Sequence, residues 1–423
     1  MKHLLVQGTM EKIPGFPHHK EFVYRCYRFF EVKSLFSFLT VDGLMFVPKR
    51  LWLNRKYRTV TPRLLLVDPT SRCNLRCTGC WAADYKANSD LSYEKLDEIF
   101  TDARKLGVLQ IIMSGGEPML RKDDILKLCE KHNKLTYGIF TNGTLIDEDF
   151  ARELARLQNL NVFISIEGFR EENDFRRGEG TYDKVIAAMD LLKRHRIGYA
   201  FSMCYHSKNY KAVTSEDYLD FLREKGAWFG WMFNYIPIGK DADISLCCTA
   251  EQRAYVKEKI EAYCKKHRFL IIDFPNSGHK SIGCVAACND FAHINSNGDL
   301  EPCAFCHYSD SNVNEMPLLE AIRSPFFKNF RKHKPFSTNL LRPCPMMDVP
   351  DAFIEATKVP GVKSTHLRHP ETPEELAEKT RPLAEKWRPV AEKLLEATPK
   401  GEKRRFGILT KVMYWGNGQI KKW

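Results

Sequence analysis

The chain has no run of about 18 consecutive apolar residues, the length a membrane-spanning helix needs, and its most apolar early region, 35–47, is broken by Asp42 and Gly43. Its first residues, Met-Lys-His-Leu-Leu-Val-Gln-Gly, have no apolar core followed by a small-residue cleavage site. The expectation is therefore a cytoplasmic protein. The 14 cysteines among 423 residues are then read as reduced thiols available for metal or chemistry rather than as a disulfide framework. Acidic residues are in deficit, 65 Lys and Arg against 53 Asp and Glu, or +12. That excess favours an anionic cofactor, an acidic peptide or an anionic membrane surface. No aromatic-plus-basic recognition motif accompanies the charge, which argues against nucleic acid as a partner. With 43% apolar residues, a chain of this length builds two or three domains.

What is present is centred on Cys73-Asn-Leu-Arg-Cys77-Thr-Gly-Cys80. Three thiolates at this spacing can hold three irons of a cuboidal cluster and leave the fourth open to a small molecule. A structural zinc loop or three buried thiols are the alternatives, although zinc normally closes with a fourth Cys or His.

From residue 62 onward, apolar runs of strand length alternate with charged segments of helical period. The runs are 64–67, 109–113, 137–140, 162–166, 199–203 and 228–236, and the helices fall at 92–106, 123–132, 147–157, 181–195 and 215–225. Such alternation means βαβ units and a parallel sheet. Six units are too few for a closed eightfold barrel, so the expected fold is α/β: a partial (β/α)6 TIM-like barrel with a small cysteine-rich α+β auxiliary domain and a helical C-terminal tail. In such sheets the ligand gathers at the carboxyl ends of the strands. Those ends carry the cysteine loop, Ser114-Gly115-Gly116-Glu117-Pro118, Thr141-Asn142-Gly143, Ser165-Ile166-Glu167-Gly168 and Tyr235-Ile-Pro-Ile-Gly239.

On these motifs the sequence resembles the radical S-adenosylmethionine (SAM) superfamily over about residues 62–240. The resemblance implies that Cys73, Cys77 and Cys80 ligate a catalytic [4Fe–4S] cluster. It further implies that Gly115, Gly116 and Glu117 meet the amino group of SAM, that Ser165 and Glu167 lie near its ribose, and that Arg177 faces its carboxylate. Ser202 is a further candidate. Relatives carry an aromatic residue against the adenine immediately before the third cysteine; here that position is Gly79, and Trp81 is the expected substitute.

A second cysteine group follows a helix beginning at the Thr249–Gln252 capping box. It comprises Cys284, Cys288, Cys303, Cys306 and Cys344, with an Asn297-Gly298 hairpin turn after a short strand at 290–294. The segment resembles a shortened SPASM-type auxiliary domain. One auxiliary [4Fe–4S] cluster is expected, from Cys284, Cys303 and Cys344 plus either Cys306 or Cys288, with tetrathiolate zinc as the alternative. Cys26, Cys129, Cys204, Cys247, Cys248 and Cys264 are read as packing thiols, Cys204 being the one nearest the expected ligand edge.

The expected division is 1–60, an aromatic and basic extension; 61–245, the core; 246–350, the auxiliary domain; and 351–423, an amphipathic helical tail opening at the Thr372–Glu375 capping box. The expected activity is reductive cleavage of SAM to a 5′-deoxyadenosyl radical that takes hydrogen from a peptide or protein side chain. The alternatives are a small metabolite, cofactor precursor or lipid as substrate, or a non-catalytic iron–sulfur or zinc protein. A low-potential electron donor such as ferredoxin or flavodoxin is the expected partner, and the termini suit a peripheral membrane contact.

Overall fold

The computed structural model describes residues 49, 51–83, 89–274, 276–288 and 291–413. The expectations for Cys26, for the aromatic and basic segment before residue 49 and for the last ten residues lie outside them.

The six expected units are present: β1 (Leu64–Val67), α1 (Tyr93–Lys105), β2 (Gln110–Met113), α2 (Lys122–Lys131), β3 (Thr136–Thr141), α3 (Glu148–Leu157), β4 (Leu160–Ser165), α4 (Arg170–Arg177), α5 (Thr181–Arg194), β5 (Tyr199–Tyr205), α6 (Glu216–Glu224) and β6 (Ala227–Asn234). Side-chain caps start the helices where the sequence places them. Ser92 accepts from Lys95 N, Asp147 from Phe150 N and Ser215 from Tyr218 N, each satisfying a backbone donor that the first turn leaves open. Helix α4 has no expected counterpart, because its sequence, REENDFRR, has almost no apolar period.

The strands lie side by side in numerical order and in parallel. Both faces are covered, which is why the runs are apolar throughout rather than alternating. Leu65, Val67, Ile111, Met113, Ile139 and Ile164 pack outward with the helices. Leu64, Leu66, Ile112, Phe163, Ala200 and Trp231 form a second core on the inner face.

The sheet extends further than six units. After α7 (Ala250–His267), β7 (Leu270–Phe274) adds in parallel beside β6. At the other edge β8 (Phe291–Ile294) lies parallel to β1, in register from Leu64↔Phe291 to Val67↔Ile294, and turns at Asn297-Gly298 into antiparallel β9 (Leu300–Glu301). The expected hairpin therefore forms. It is continuous with the barrel sheet, so the cysteine-rich segment is stitched to β1 by backbone hydrogen bonds. Beyond it come β10 (Tyr308–Ser309), α8 (Pro325–Lys332), α9 (Pro350–Thr357), β11 (Lys363–Ser364) and α10 (Pro373–Ala397). Helix α10 opens with the Thr372/Glu375 capping box and packs Trp387 and Ala391 against Leu341 and Ala250. Among the described residues no helix is long and apolar enough to cross a membrane.

Candidate functional site

The cysteine loop leaves the carboxyl end of β1 and is pinned on three sides. Gly116 N donates to Thr70 O (3.0 Å) and Glu117 N to Arg72 O (2.7 Å), tying it to the end of β2. Asn142 Nδ2 donates to Asn74 Oδ1 (2.8 Å), tying it to the end of β3. Thr78 N donates to Arg176 O (2.8 Å), tying it to the end of α4. The two glycines are required by this approach. A Cβ on Gly116 would lie 2.1 Å from Arg72 O, and Gly115 has φ +102° with Thr70 O 2.6 Å from where its Cβ would sit.

The three thiols feel one another. Burial, with Glu117, Cys80 and Cys77, pushes Cys73 up to about 12, against a hydrogen bond from Leu75 N. Burial and Cys77 likewise raise Cys80, while Arg176 and Arg177 oppose the rise. Cys73 and Cys80, resisting ionisation side by side, need a polycation to hold them as thiolates.

The two glutamates differ in use. Glu117 is buried, and its carboxylate accepts from Met119 N (3.0 Å), Thr141 Oγ1 (2.7 Å) and Asn142 N (2.8 Å), so it braces the ends of β2 and β3. Glu167 is wholly buried and accepts from Arg176 Nη1 (2.8 Å), Arg177 Nε (3.0 Å), Arg177 Nη2 (2.5 Å) and Cys204 N (2.7 Å). Burial works against its ionisation, yet Arg176 and Arg177 hold it below the usual carboxylate range. Two guanidiniums against one carboxylate leave a positive charge beside the cysteines. Ser165 and Ser202 are direct cross-strand neighbours on β4 and β5.

The sequence reading singled out Arg177 but not Arg176, which is buried, partners the same carboxylate and interacts electrostatically with Cys204, Cys77 and Cys80. The adjacent Arg-Arg pair was the available signal. Trp81 packs edge-on against His293 (5.8 Å) and Phe305 (5.9 Å) and against the inner-face core. Tyr235 lies at Gly79, its Cε2 2.5 Å from where a Cβ of that glycine would be. Also unforeseen is a buried row in which His293 lies 2.9 Å from Asp68 and 2.6 Å from Glu301, linking β1 to the hairpin.

In the second group Cys306 interacts electrostatically with Cys303, Cys284 and Cys344, and Cys344 with Cys284 and Cys303. Cys288 is buried against the hairpin, donating its backbone N–H to Phe291 O (2.9 Å), and its thiol interacts with Arg331. A single tetrahedral zinc with bonds of about 2.3 Å would draw its sulfurs to ~3.8 Å apart. Among the described residues neither cysteine group brings three sulfurs within 4.8 Å of one another. Thiolate sets of this kind suit soft metals, an iron–sulfur cluster among them.

Fold and donor sets together suit iron–sulfur chemistry at the edge of a partial parallel barrel. Residues 67–220 match the model of the radical SAM superfamily, and residues 284–345 match the SPASM model, an iron–sulfur cluster-binding domain. The chain thus carries a radical SAM domain and a SPASM-type auxiliary domain, which support SAM, a [4Fe–4S] cluster and an auxiliary cluster as its cofactors. It is 38% identical over 146 residues to an uncharacterized protein of Archaeoglobus fulgidus, a match that covers 34% of this chain and only 35% of that one. It is 23% identical over 291 residues to the AdoMet-dependent heme synthase of Methanosarcina barkeri, covering 62% of this chain and 82% of the synthase. It is 31% identical over 158 residues to the PqqA peptide cyclase of Granulibacter bethesdensis, covering 36% and 42%. Its fold is similar to Streptococcus suis SuiB bound to the precursor peptide SuiA, with a TM-score of 0.58 and 21% identity over 72% of this chain and 75% of SuiB.

Proposed function

We propose that Cys73, Cys77 and Cys80 hold the catalytic cluster, and that the enzyme modifies a peptide or protein side chain. The observation that carries the site reading is the Arg176–Glu167–Arg177 group, whose net positive charge stands beside the three thiols. When bound, the cluster and SAM supply a 5′-deoxyadenosyl radical that takes a hydrogen atom from the substrate. The chain's own residues position. Gly115 and Gly116 bring the backbone close to the amino group of SAM, Glu117 braces the strand ends behind them, and Arg177 with Arg176 receives its carboxylate. Ser165, Glu167 and Ser202 lie towards the ribose. Cys284, Cys303, Cys306 and Cys344 hold the auxiliary cluster, and Cys288 supports the hairpin. The working units are the core at 61–245, the auxiliary domain at 246–350, the tail at 351–423 and the extension at 1–60. The enzyme works in the cytoplasm with a ferredoxin or flavodoxin as electron donor.

The PqqA peptide cyclase and peptide-bound SuiB favour a peptide substrate. A second reading, a cofactor precursor, is favoured by the heme synthase, of which the chain covers 82%. Anaerobic incubation with deuterated candidate peptides and tetrapyrroles separates them, since only the true substrate passes deuterium into 5′-deoxyadenosine. Cys77→Ala should lose about four irons per chain, by the stoichiometry of one cluster, and all reductive SAM cleavage. Cleavage at the wild-type rate by the reconstituted variant would refute the assignment.

A further inference from the structure

We propose that Cys204 is a hydrogen-atom donor inside the SAM site, a role that rests on the reading of Cys73, Cys77 and Cys80 as the SAM-cleaving centre. Strand alternation places Ala200, Ser202 and Cys204 on one face of β5. Ala200 belongs to the inner core, Ser202 faces Ser165 across the strands, and Phe201, Met203 and Tyr205 pack outward with the helices. Cys204 is thus the last inward residue of β5, at the carboxyl edge where the cysteine loop lies. It is held there firmly. Its N–H donates to Glu167 Oε2 (2.7 Å), and its carbonyl accepts from Asn209 Nδ2 (3.2 Å), which also donates to Glu167 O (3.1 Å).

The thiol packs beside Tyr235 and Cys247 and also has charged neighbours. Cys204 interacts with Arg176, Glu167, Arg177 and Cys80, whereas Cys129, a core thiol on α2, is perturbed by burial alone. Arg176, the first of those neighbours, is buried, and among the described residues its Nε has no hydrogen-bond partner, which leaves a donor for a polar ligand atom at this corner. Cys247 and Cys248 add two more thiols that interact with Cys204, and none of the three is in a disulfide. Tyr235, packed against Gly79 of the cysteine loop, shares a cluster with Cys247 and Cys204.

An S–H bond is weaker than an alkyl C–H bond, so transfer from this thiol to a carbon radical runs downhill. One hydrogen atom moves: the Cys204 S–H bond breaks, a C–H bond forms on the carbon, and sulfur is left as a thiyl radical. One electron from the low-potential donor and one proton from solvent restore the thiol. With substrate present, the same step can return a hydrogen to a product radical.

The test needs no substrate. Reconstituted full-length protein is given SAM and dithionite in thiol-free deuterium oxide, where the Cys204 hydrogen exchanges with solvent, and the mass of 5′-deoxyadenosine is measured. Wild type should give mostly singly deuterated 5′-deoxyadenosine, and Cys204→Ser, with iron content matching wild type, should lose that label to background. Unlabelled product from wild type, or equal labelling from Cys204→Ser, overturns the proposal. Absence of any 5′-deoxyadenosine overturns the SAM-cleaving reading beneath it. Independently of turnover, S-adenosylhomocysteine should slow N-ethylmaleimide labelling of Cys204 in the reconstituted protein and leave Cys129 unaffected; unchanged labelling of Cys204 also overturns the proposal.

Discussion

Glu167→Ala probes the group on which the site reading depends. The carboxylate has no solvent exposure and takes four hydrogen bonds, three of them from guanidiniums that are themselves about nine-tenths buried. Removing it leaves two buried cations facing each other with no counter-charge, and breaking a buried pair from one side costs about 3–5 kcal/mol. The backbone N–H of Cys204 also loses its acceptor, at about 1–3 kcal/mol when buried, so the total falls at the upper end of the first range once relaxation is allowed. Glu167→Gln keeps an acceptor and restores part of the second loss only. The assay is urea unfolding of the apo protein, with the slope compared to confirm that the unfolded reference is unchanged. A cycle with Arg177→Met separates the pair energy from the structural loss. A cost below about 1 kcal/mol for Glu167→Ala, typical of an exposed pair, would refute the argument that this ion group is desolvated. SAM affinity should fall in the same variant, because the guanidiniums lose the group that aims them.

Gly116→Ala should destabilise by about 2–3 kcal/mol through overpacking and lower iron incorporation, since its Cβ would meet the Arg72 carbonyl at 2.1 Å; wild-type iron content would contradict it. Cys306→Ser should remove the auxiliary cluster's iron while Cys288→Ser leaves iron content near wild type, read by iron and sulfide assay; the reverse pattern would exchange their roles. His206 is held down to about 4 from 6.5, chiefly by burial, with Arg176 and Lys208 assisting against Glu167. The folded protein therefore refuses a proton that the unfolded chain accepts. Its stabilising contribution is complete above pH 6.5 and is lost as pH falls towards 4, by up to ~3 kcal/mol at 1.36 kcal/mol per unit. His206→Gln should flatten the stability profile across that window in thermal melts, and an unaltered slope would count against it.

Short-range spacing makes much of the site legible in the chain itself. Three cysteines within eight residues must share one loop, Gly115-Gly116 after an apolar run must mark a strand end, and the capping boxes at Thr249 and Thr372 fall at the observed helix starts. Such features depend on residues a few positions apart, where backbone geometry leaves few options. The sequence by itself therefore determined that three thiols share one loop, the six-unit rhythm and the edge at which chemistry would gather, and its resemblance to a known family supplied the cofactor.

Tertiary structure decided which distant residues meet there. Nothing local announces that β8 will lie beside β1, that Tyr235 will fill the space at Gly79, or that Arg176 will share Glu167 with Arg177. Helix α4 was invisible because its stability comes from packing rather than from an apolar stripe. Cys306 and Cys288 are equally plausible ligands by spacing, and the turn that lets Cys306 N donate to Cys303 O sets one thiol among the others while Cys288 packs beside Arg331. The same holds for Cys204, one thiol among fourteen in the sequence, whose place beside Arg176 and Cys80 follows only from the parity of β5 and its register with β4.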